Sequence, residues 1–355
     1  MRILVVNAGS SGLKLRLLGD DDDLVESADV SDAGELESVV SKWGAPDAVG
    51  HRIVHGGPRF TSSVRIDDAV VEQLEELIEL APLHLPPALE AIDATRRLFP
   101  GVPAVACFDT AFHATLPPAA ATYALPREWR EKWGLRRFGF HGLSHSYASR
   151  RAAELLGRNV EDLRLVTCHL GAGASLAAVK GGASVDTTMG FTPLEGLVMA
   201  TRSGTVDPGL ILWLETSQGL SAAEVSAGLE HRSGLFGLAG TADMKEVTLA
   251  KSADAAVALD VYLHRLCAAI AAMASAMHGL DAIVFTGGVG ENSTVVRERC
   301  LASLEWLGCA VDITVNKGAR ADSLISPPGA QVGAVVVSAR EDLAIAREVR
   351  RLLDA

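Results

Sequence analysis

The stretch ILVVNAGSSGLKLRL, Ile3–Leu17, is the part of the chain that decides the fold. Its branched apolar residues predict a buried strand, which breaks at Asn7 into a run of small residues. Alternating leucines follow, so a second strand is expected to fold back on the first. Glycine lets backbone N–H groups approach an anion, the serines add hydroxyl donors, and Lys14 adds a positive charge. The stretch predicts either a phosphate-holding hairpin or an ordinary turn between two strands.

The same pattern occurs again later in the chain. Leu163–Lys180, LRLVTCHLGAGASLAAVK, has an apolar strand on either side of a turn with Gly171 and Gly173. A third glycine loop, Thr286–Ser293, follows the predicted strand Ala282–Phe285. Three strand-to-glycine junctions are expected of a fold whose two similar halves close on a nucleotide.

Composition narrows the class of protein. The chain has 355 residues, enough for two domains, and its 48% hydrophobic content with 34 glycines favours an α/β enzyme. The net charge is −12 and no basic block is present, so we expect neither nucleic acid nor a membrane surface as a partner. An anionic substrate must then be held by a few well-placed cations.

The cysteines and the N-terminal sequence predict a cytoplasmic protein. The five cysteines form no CxxC pair and lie mostly in apolar contexts, which is typical of reduced, buried thiols. The N-terminus resembles a strand rather than a signal peptide. The longest apolar helix, Ala253–Met277, carries Asp260, His264 and Arg265 near its middle. These charges favour a core or interface helix over a membrane span.

Two charged residues stand out next to predicted strands. Arg52 lies inside the apolar run Ala48–Val54 and needs a partner, so it predicts either an internal ion pair or an anion clamp. Asp109 follows the strand Val102–Phe108, at the carboxyl end where open α/β sheets bind ligands. It is suited either to Mg²⁺ and its waters or to capping a helix.

Two further segments carry chemistry. Arg137–His145, RFGFHGLSH, holds two histidines four residues apart, but Gly142 is a poor helix former and no Glu or Cys ligand is near. A phosphate-facing His141 and a structural His145 therefore fit better than a metal pair. Val185–Leu210 has little periodicity, and such a long irregular run inside a domain is usually functional.

Nine motifs occur in an order that resembles the acetokinase family, a branch of the fold shared by sugar kinases, Hsp70 and actin: NAGSSGLK, HRIVHGG, APLHLPP, CFDTAFH, RFGFHGLSH, HLGAGAS, DTTMGFTPLEGLVMATRSGTVDPG, GGVGENS and EDLAIAR. The resemblance implies an α/β, two-domain actin-like ATPase (ribonuclease H-like) fold with a central cleft between the domains. The first domain would comprise residues 1–112 and 343–355. The second, 113–342, would bind the nucleotide and form a homodimer.

The resemblance also implies an activity and residue roles. The reaction would be reversible, in-line transfer of the ATP γ-phosphoryl group to acetate, giving acetyl phosphate and ADP, with Mg²⁺ (or Mn²⁺) as cofactor. The catalytic residues would be Arg52, Asp109, His141 and Arg202, of which His141 and Arg202 stabilise the transition state. The acetate site would comprise Arg52, Val54, Leu83, His84, Phe140 and Pro193. The metal would be held by Asn7 and Glu341, with Asp109 near its waters. The nucleotide would be bound by Asn7, Ser10, Lys14, His169, Gly171, Gly173, Asp243, Gly288, Gly290 and Asn292.

The chemistry agrees with these roles. Phosphoryl transfer needs in-line positioning and positive charge around a loose transition state. Acetate is already ionised near neutral pH, so no strong general base is required. The apolar pocket selects by size, and because one methylene is worth only about 1–3 kcal/mol, propionate should be a weaker substrate.

The chain departs from the family pattern mainly on the nucleotide side. Gly12 replaces a serine, Ala172 an asparagine, and Arg340 an asparagine, while Met244 and Lys245 in Thr241–Glu246 replace an aromatic residue and an arginine. The region between Leu18 and Val49 is also shorter than usual. We therefore expect intact acyl transfer with altered affinity for, or choice of, the phosphoryl donor. The alternatives are a propionate or butyrate kinase, a pyrophosphate-dependent enzyme, and a non-catalytic nucleotide-binding protein.

Overall fold

The opening stretch forms the centre of a mixed sheet. The computed structural model describes residues 1–9, 12–320 and 322–354, and within them the first sheet has six strands in the order β3-β2-β1-β4-β6-β5. The strands β1, β4 and β6 are parallel, and β2 pairs antiparallel with β1. The bounds are β1 (Ile3–Gly9), β2 (Gly12–Leu18), β3 (Leu24–Val30), β4 (Ala48–Ile53), β5 (Val64–Arg65) and β6 (Ala104–Phe108).

Helices cover both faces of this first sheet. One face packs on helices Ala33–Val40, Asp68–Glu75 and Leu85–Leu98 through a large apolar core. The other face packs on Glu341–Leu353, the last helix of the chain. This helix lies very close to β4, because a Cβ at Gly50 would be 2.4 Å from a methyl carbon of Ile345. Single 3₁₀ turns occur at Ile78–Leu80 and Ala111–His113.

The second sheet repeats the arrangement of the first. Its strands, counted over the described residues, are β7 (Arg164–Leu170), β8 (Ala174–Lys180), β9 (Ala183–Thr187), β10 (Ala282–Thr286), β11 (Ser323–Leu324) and β12 (Gly333–Val336). The order is β11-β12-β10-β7-β8-β9. Again three strands, β7, β10 and β12, are parallel, and a hairpin runs antiparallel at one side. Both glycine-rich hairpins predicted from the sequence are therefore present.

Helix Ala253–Met277 is the longest helix packed against the second sheet. By length and composition alone it could cross a membrane, but it contacts β7 and β8 and buries residues along one face, among them Leu263, Leu266 and Ile270. The other helices after Ala114 are Pro118–Ala121, Arg127–Trp133, Gly142–Leu155, Pro208–Thr216, Ala222–His231, Gly234–Ala239, Met244–Leu249, Gly287–Asn292, Thr294–Ser303 and Ile313–Gly318, with 3₁₀ turns at Val160–Asp162 and Glu305–Leu307. All five cysteines are free, and only Cys267 is partly exposed.

The chain divides into two units, each with its own sheet. The first comprises Met1–Ala114, Phe140–Tyr147 and Arg340–Ala355, and the second Thr115–Gly139 and Ala148–Ala339. The predicted domains differ chiefly at Phe140–Tyr147, which the prediction assigned to the second domain. Backbone contacts explain the difference, because the Gly142 N–H donates a hydrogen bond to the carbonyl of Asp109 in the first unit.

Candidate active site

A buried ion pair lies at the carboxyl ends of the central strands in the first unit. Arg52, near the end of β4, donates from Nη2 to Asp109 Oδ2 at 2.6 Å and from Nε to the same oxygen at 3.1 Å. The side chain of Asp109 is 1% exposed and follows β6 directly. Parallel pairing of β4 with β6 brings these residues together from 57 positions apart. Asp109 therefore pairs with a cation here and does not act as a helix cap.

Asn7 and Glu341 extend this pair into a cluster. Asn7, on β1 beside Arg52, accepts from Arg52 Nη1 at 3.1 Å and donates from Nδ2 to Glu341 Oε2 at 2.7 Å. Glu341 begins the last helix, and its Oε2 lies 4.0 Å from Arg52 Nε. Four residues implied by the family resemblance thus meet in one place within the first unit.

The charges in this cluster depend on one another. Burial raises the pKa of Asp109 above its usual value, and the Arg52 guanidinium opposes that shift. Although burial disfavours the charged form of Arg52, the carboxylates of Asp109 and Glu341 raise its pKa above the usual value. Arg52 therefore stays charged and is held rigidly by its partners.

The cluster contains oxygen atoms that are suited to coordinate a hard divalent cation. Asp109 Oδ1 is buried and has no hydrogen-bond partner among the described residues. With the Glu341 carboxylate and the Asn7 amide it provides the oxygen ligands that Mg²⁺ prefers. No group of three or more His, Cys, Asp or Glu residues able to hold a metal occurs in the described parts of the chain. The donors thus fit Mg²⁺ bound through one or two carboxylates plus water and phosphate, rather than a closed protein cage.

The four apolar and histidine residues expected near acetate in the first unit differ in exposure. Val54 and Phe140 are buried, and the Phe140 ring packs edge-on against His55 with centroids 5.4 Å apart. His84 is partly buried, whereas Leu83 is 56% exposed. Val54 and Phe140 therefore provide firm apolar surface, and Leu83 presents its side chain to solvent.

In the second unit, Arg202 and Pro193 lie together in the irregular run. Arg202 Nη1 donates to the Pro193 carbonyl at 3.4 Å, and burial lowers the Arg202 pKa below its usual value. The run is irregular only from about Thr188, because its first residues belong to β9. Arg202 has a carbonyl as its partner there, in contrast to the buried carboxylate that holds Arg52.

A three-residue clamp that the sequence reasoning missed holds the base of this run. Tyr123 donates from its hydroxyl to Glu195 Oε2 at 2.5 Å, and Arg137 Nη2 lies 2.7 Å from Glu195 Oε1. The Phe191 N–H donates to the Tyr123 hydroxyl at 2.9 Å. Gly190 lies against the clamp, since a Cβ there would be 1.7 Å from Glu195 Oε2 and would have to displace that carboxylate. The clamp fixes the backbone on both sides of Pro193.

The two glycine segments predicted to bind nucleotide in the second unit have different structures. The turn between β7 and β8 is closed by a hydrogen bond from the Gly171 N–H to the Gly173 carbonyl at 3.0 Å, with His169 at the end of β7. The segment Thr286–Ser293, predicted as a loop, instead contains the short helix Gly287–Asn292. Within this segment, the Asn292 side chain donates a hydrogen bond to the Gly288 carbonyl at 2.8 Å.

Arg297 anchors this short helix and was not predicted. It is fully buried and donates to the carbonyls of Gly290 at 2.8 Å and Glu291 at 2.7 Å and to the Asn316 side chain at 2.8 Å. Burial without a carboxylate among these partners lowers the Arg297 pKa. Its position in GENSTVVR, just after the glycine motif, is the sequence signal that marks it.

The remaining predicted nucleotide residues are more exposed. Asp243 caps helix Met244–Leu249 by accepting from the Lys245 N–H at 2.7 Å. Lys14 is exposed on β2, opposite Asn7 in the hairpin. Ser10 lies outside the described residues. Asp243 thus has a capping role in addition to the nucleotide role that the resemblance implies.

Comparison with known proteins agrees with the motifs. The model of the Acetokinase family matches residues 37–347. The chain belongs to the acetokinase family. It is 44% identical to an acetate kinase from Thermoanaerobacter pseudethanolicus, with 99% of each chain covered. That alignment spans 397 positions, so the relative has segments that this chain of 355 residues lacks.

Solved structures agree with the fold. A crystal structure of Porphyromonas gingivalis acetate kinase has a TM-score of 0.92 at 38% identity, covering 99% of both chains. A propionate kinase from Francisella tularensis has a TM-score of 0.91 at 34% identity, covering 98% of both chains. The predicted family and the α/β, two-domain actin-like fold are confirmed.

Proposed function

We propose that this chain is an acetate kinase, which transfers the γ-phosphoryl group of ATP to acetate by direct in-line displacement and also catalyses the reverse reaction. The full-length similarity to named acetate kinases carries the proposal. The cluster of Asn7, Arg52, Asp109 and Glu341 supports it, because a nucleotide-binding protein without a second substrate needs no buried arginine at this place.

Arg52 is the proposed ligand of the acetate carboxylate. Among the described residues, its contacts to Asp109, Asn7 and the Ala8 carbonyl use four of its five N–H groups. The fifth can donate to an incoming carboxylate. Since Asp109 already fixes the plane of the guanidinium, little conformational freedom is lost when the substrate binds. Val54 and Phe140 are the proposed surface for the methyl group.

Charge stabilisation supplies the rest of the proposed chemistry. The transferring phosphoryl group is loosely bonded and its three oxygens carry the charge, so His141 and Arg202 act by donating hydrogen bonds to those oxygens. Acetate attacks as the carboxylate, and no proton has to be removed. The clamp around Glu195 keeps the Arg202 run in place.

A magnesium ion is the proposed cofactor, with Mn²⁺ as a substitute. Asn7 and Glu341 would hold it, and Asp109 Oδ1 would hold one of its waters. When bound, the ion neutralises charge on the phosphate oxygens.

Propionate is the second candidate acceptor, because a propionate kinase is 34% identical over nearly the whole chain. The two acids differ by one methylene, which is worth about 1–3 kcal/mol in an apolar pocket. We therefore propose that acetate is preferred and that propionate is used with lower kcat/KM.

The donor side is proposed to be altered. Met244 is buried and Lys245 is exposed in the first turn of the helix that Asp243 caps, where the family has an aromatic residue and an arginine. A smaller contact surface for the base should weaken ATP binding. Titration with ATP, GTP and pyrophosphate tests this, and ordinary micromolar-to-millimolar saturation by ATP would contradict it.

A homodimer formed through the second unit is also proposed. Helix Pro208–Thr216 buries none of its residues and exposes Leu210, Leu212 and Trp213. Apolar surface of this kind on one helix is typical of an interface between subunits. Cytoplasmic localisation remains a prediction from the cysteine usage.

Synthesis of ATP from acetyl phosphate and ADP, followed by luminescence, tests the proposed activity. The wild-type protein should make ATP, and Arg202→Ala should lower kcat by about 100-fold or more, as loss of a charged transition-state donor does. Arg299→Ala is the matched control, because Arg299 is an exposed arginine paired with Asp260 at 2.7 Å in the same unit. Unchanged turnover in Arg202→Ala would contradict the role assigned to this residue.

A further inference from the structure

His141 has a backbone conformation that few side chains adopt. Its φ is +57°, in the left-handed region, and it immediately precedes helix Gly142–Leu155. A residue other than glycine persists there only when its surroundings hold it. The contacts on either side of His141 therefore determine where its imidazole points.

Hydrogen bonds hold the backbone on both sides of His141. Before it, the carbonyl of Phe140 lies 3.0 Å from His113 Nε2. After it, the Gly142 N–H donates to the Asp109 carbonyl at 3.0 Å. Asp109 and His113 both belong to the short segment that follows β6, so this segment holds the His141 backbone from both sides.

The hydrogen on His113 can be assigned from its partner. A carbonyl oxygen only accepts, so Nε2 must carry the hydrogen. The His113 side chain is fully buried, and burial lowers its pKa to about 4, so the ring is neutral near neutral pH. Its ring packs edge-on against Phe112 and His145, with centroids 5.5 and 5.8 Å away. The donor is therefore held in a fixed orientation.

The contact that follows His141, between Gly142 and the Asp109 carbonyl, leaves no room for a side chain at residue 142. A Cβ on residue 142 would lie 2.0 Å from the Asp109 carbonyl oxygen and 2.7 Å from Phe112 Cβ, so glycine is required there. The Phe140–His141 peptide is held at both of its polar groups, since His113 Nε2 donates to the Phe140 carbonyl and the His141 N–H donates to the Asp109 carboxylate.

We propose that His113 is a positioning residue: its Nε2–H holds the Phe140 carbonyl and thereby aims the His141 imidazole and the Phe140 ring. The proposal rests on the proposed function, in which His141 stabilises the transferring phosphoryl group and Phe140 lines the acetate site. His113 itself touches no substrate in this account.

A double-mutant cycle tests the proposal. His113→Phe keeps an aromatic ring but removes the donor, and His113→Gln keeps an N–H near the place of Nε2. Since loss of a buried hydrogen bond is worth about 1–3 kcal/mol, His113→Phe should lower kcat by about 5- to 160-fold. The KM for ATP should not change, and His113→Gln should recover most of the activity.

The His141→Ala background separates positioning from general loosening of the fold. There His113→Phe should lower kcat by less than about twofold, because the imidazole that it positions is gone, and the Phe140 ring, which lines the acetate site, should affect the acetate KM instead. An equal loss of kcat in both backgrounds, or no rescue by glutamine, would overturn the proposal. Lack of any activity in wild-type protein would instead refute the proposed function.

A measurement on the wild-type protein covers the case in which the variants do not fold. In ¹⁵N NMR spectra of the histidine rings, His113 should be neutral, with its hydrogen on Nε2, throughout about pH 5.5–8. Titration of His113 in that range, or a hydrogen on Nδ1 instead, would contradict the assigned hydrogen bond.

Discussion

Replacing Arg52 by leucine should destabilise the first unit strongly. In the wild-type protein, Arg52 Nη2 lies 2.6 Å from Asp109 Oδ2, and the Asp109 side chain is 1% exposed. Leucine keeps part of the volume but leaves the carboxylate buried without a cation. Glu341, whose Oε2 is 4.0 Å from Arg52 Nε, loses the same cation.

The expected magnitude follows from the burial of the pair. Removing one partner of a buried ion pair typically destabilises a protein by about 3–5 kcal/mol, because the other charge is left uncompensated. The double variant Arg52→Leu/Asp109→Asn replaces that charge by a neutral amide. The double variant should therefore recover at least about half of the stability that Arg52→Leu loses. Two independent sites would instead lose stability additively.

The destabilisation should also depend on pH. Burial raises the pKa of Asp109, and Arg52 opposes this, so removing Arg52 raises the folded-state pKa further above the unfolded one. The folded variant then binds more protons than its unfolded chain, and its free energy of unfolding falls as pH rises through that range. The difference from wild type should be smaller at about pH 5 than at about pH 8.

Urea denaturation followed by circular dichroism measures these free energies. Wild type, Arg52→Leu and the double variant should be compared at both pH values, with Arg299→Leu as control, since Arg299 forms an exposed pair. A stability for Arg52→Leu within about 1 kcal/mol of wild type, or no recovery in the double variant, would show that Arg52 does not stabilise the buried Asp109 carboxylate.

Three further predictions concern other parts of the molecule. Tyr123→Phe removes the hydroxyl between Glu195 and the Phe191 N–H, so the acetate KM should rise about tenfold in steady-state assays, and an unchanged KM would contradict the clamp. Trp213→Glu places a charge on the exposed apolar helix and should convert dimers into monomers in light scattering, whereas an unchanged mass would exclude this face as the interface. His51 is buried and its pKa falls from 6.5 to about 3, so below pH 6.5 the unfolded chain binds a proton that the folded chain does not. Stability should therefore fall as pH decreases from 6.5, with a slope of up to about 1.4 kcal/mol per pH unit from this residue, and a His51→Gln variant with the wild-type slope would contradict that origin.

The sequence predicted well those elements whose burial follows a local pattern. β1 and β7 are apolar runs, and each leads through small residues into a strand that returns. β3 gave no such signal, because five of the seven residues from Leu24 to Val30 are exposed and the only buried one is the last, so no alternation results. An edge strand of this kind is stabilised by backbone pairing with β2, which side-chain patterns do not record.

Helix ends were predicted less well than helices. The spacing of apolar residues predicts one helix over Asp67–Leu80, but the α-helix ends at Glu75 and a 3₁₀ turn follows at Ile78–Leu80. Glu75, Glu76 and Glu79 place negative charge where the helix dipole is also negative, which disfavours continuation.

In the candidate site, local sequence identified the residues but not their partners. Because Arg52 lies in an apolar run, the sequence predicts that it has an anionic partner. Only the register of β4 with β6 shows that this partner is Asp109. The clamp was missed because Tyr123 and Arg137 are 72 and 58 residues from Glu195. Arg137 lies next to the apolar residue Phe138, and its charge, like that of Arg52, needs a partner when it is buried. That signal was present in the sequence.

Trapping of acyl phosphate with hydroxylamine is the direct test of acetate kinase activity in this chain. Wild-type protein is incubated with acetate, propionate or butyrate and with ATP, GTP or pyrophosphate, with and without Mg²⁺. We expect acetyl hydroxamate that depends on ATP and Mg²⁺, with less product from propionate. Absence of hydroxamate with every acid and donor, in a protein shown to be folded by circular dichroism, would contradict this expectation.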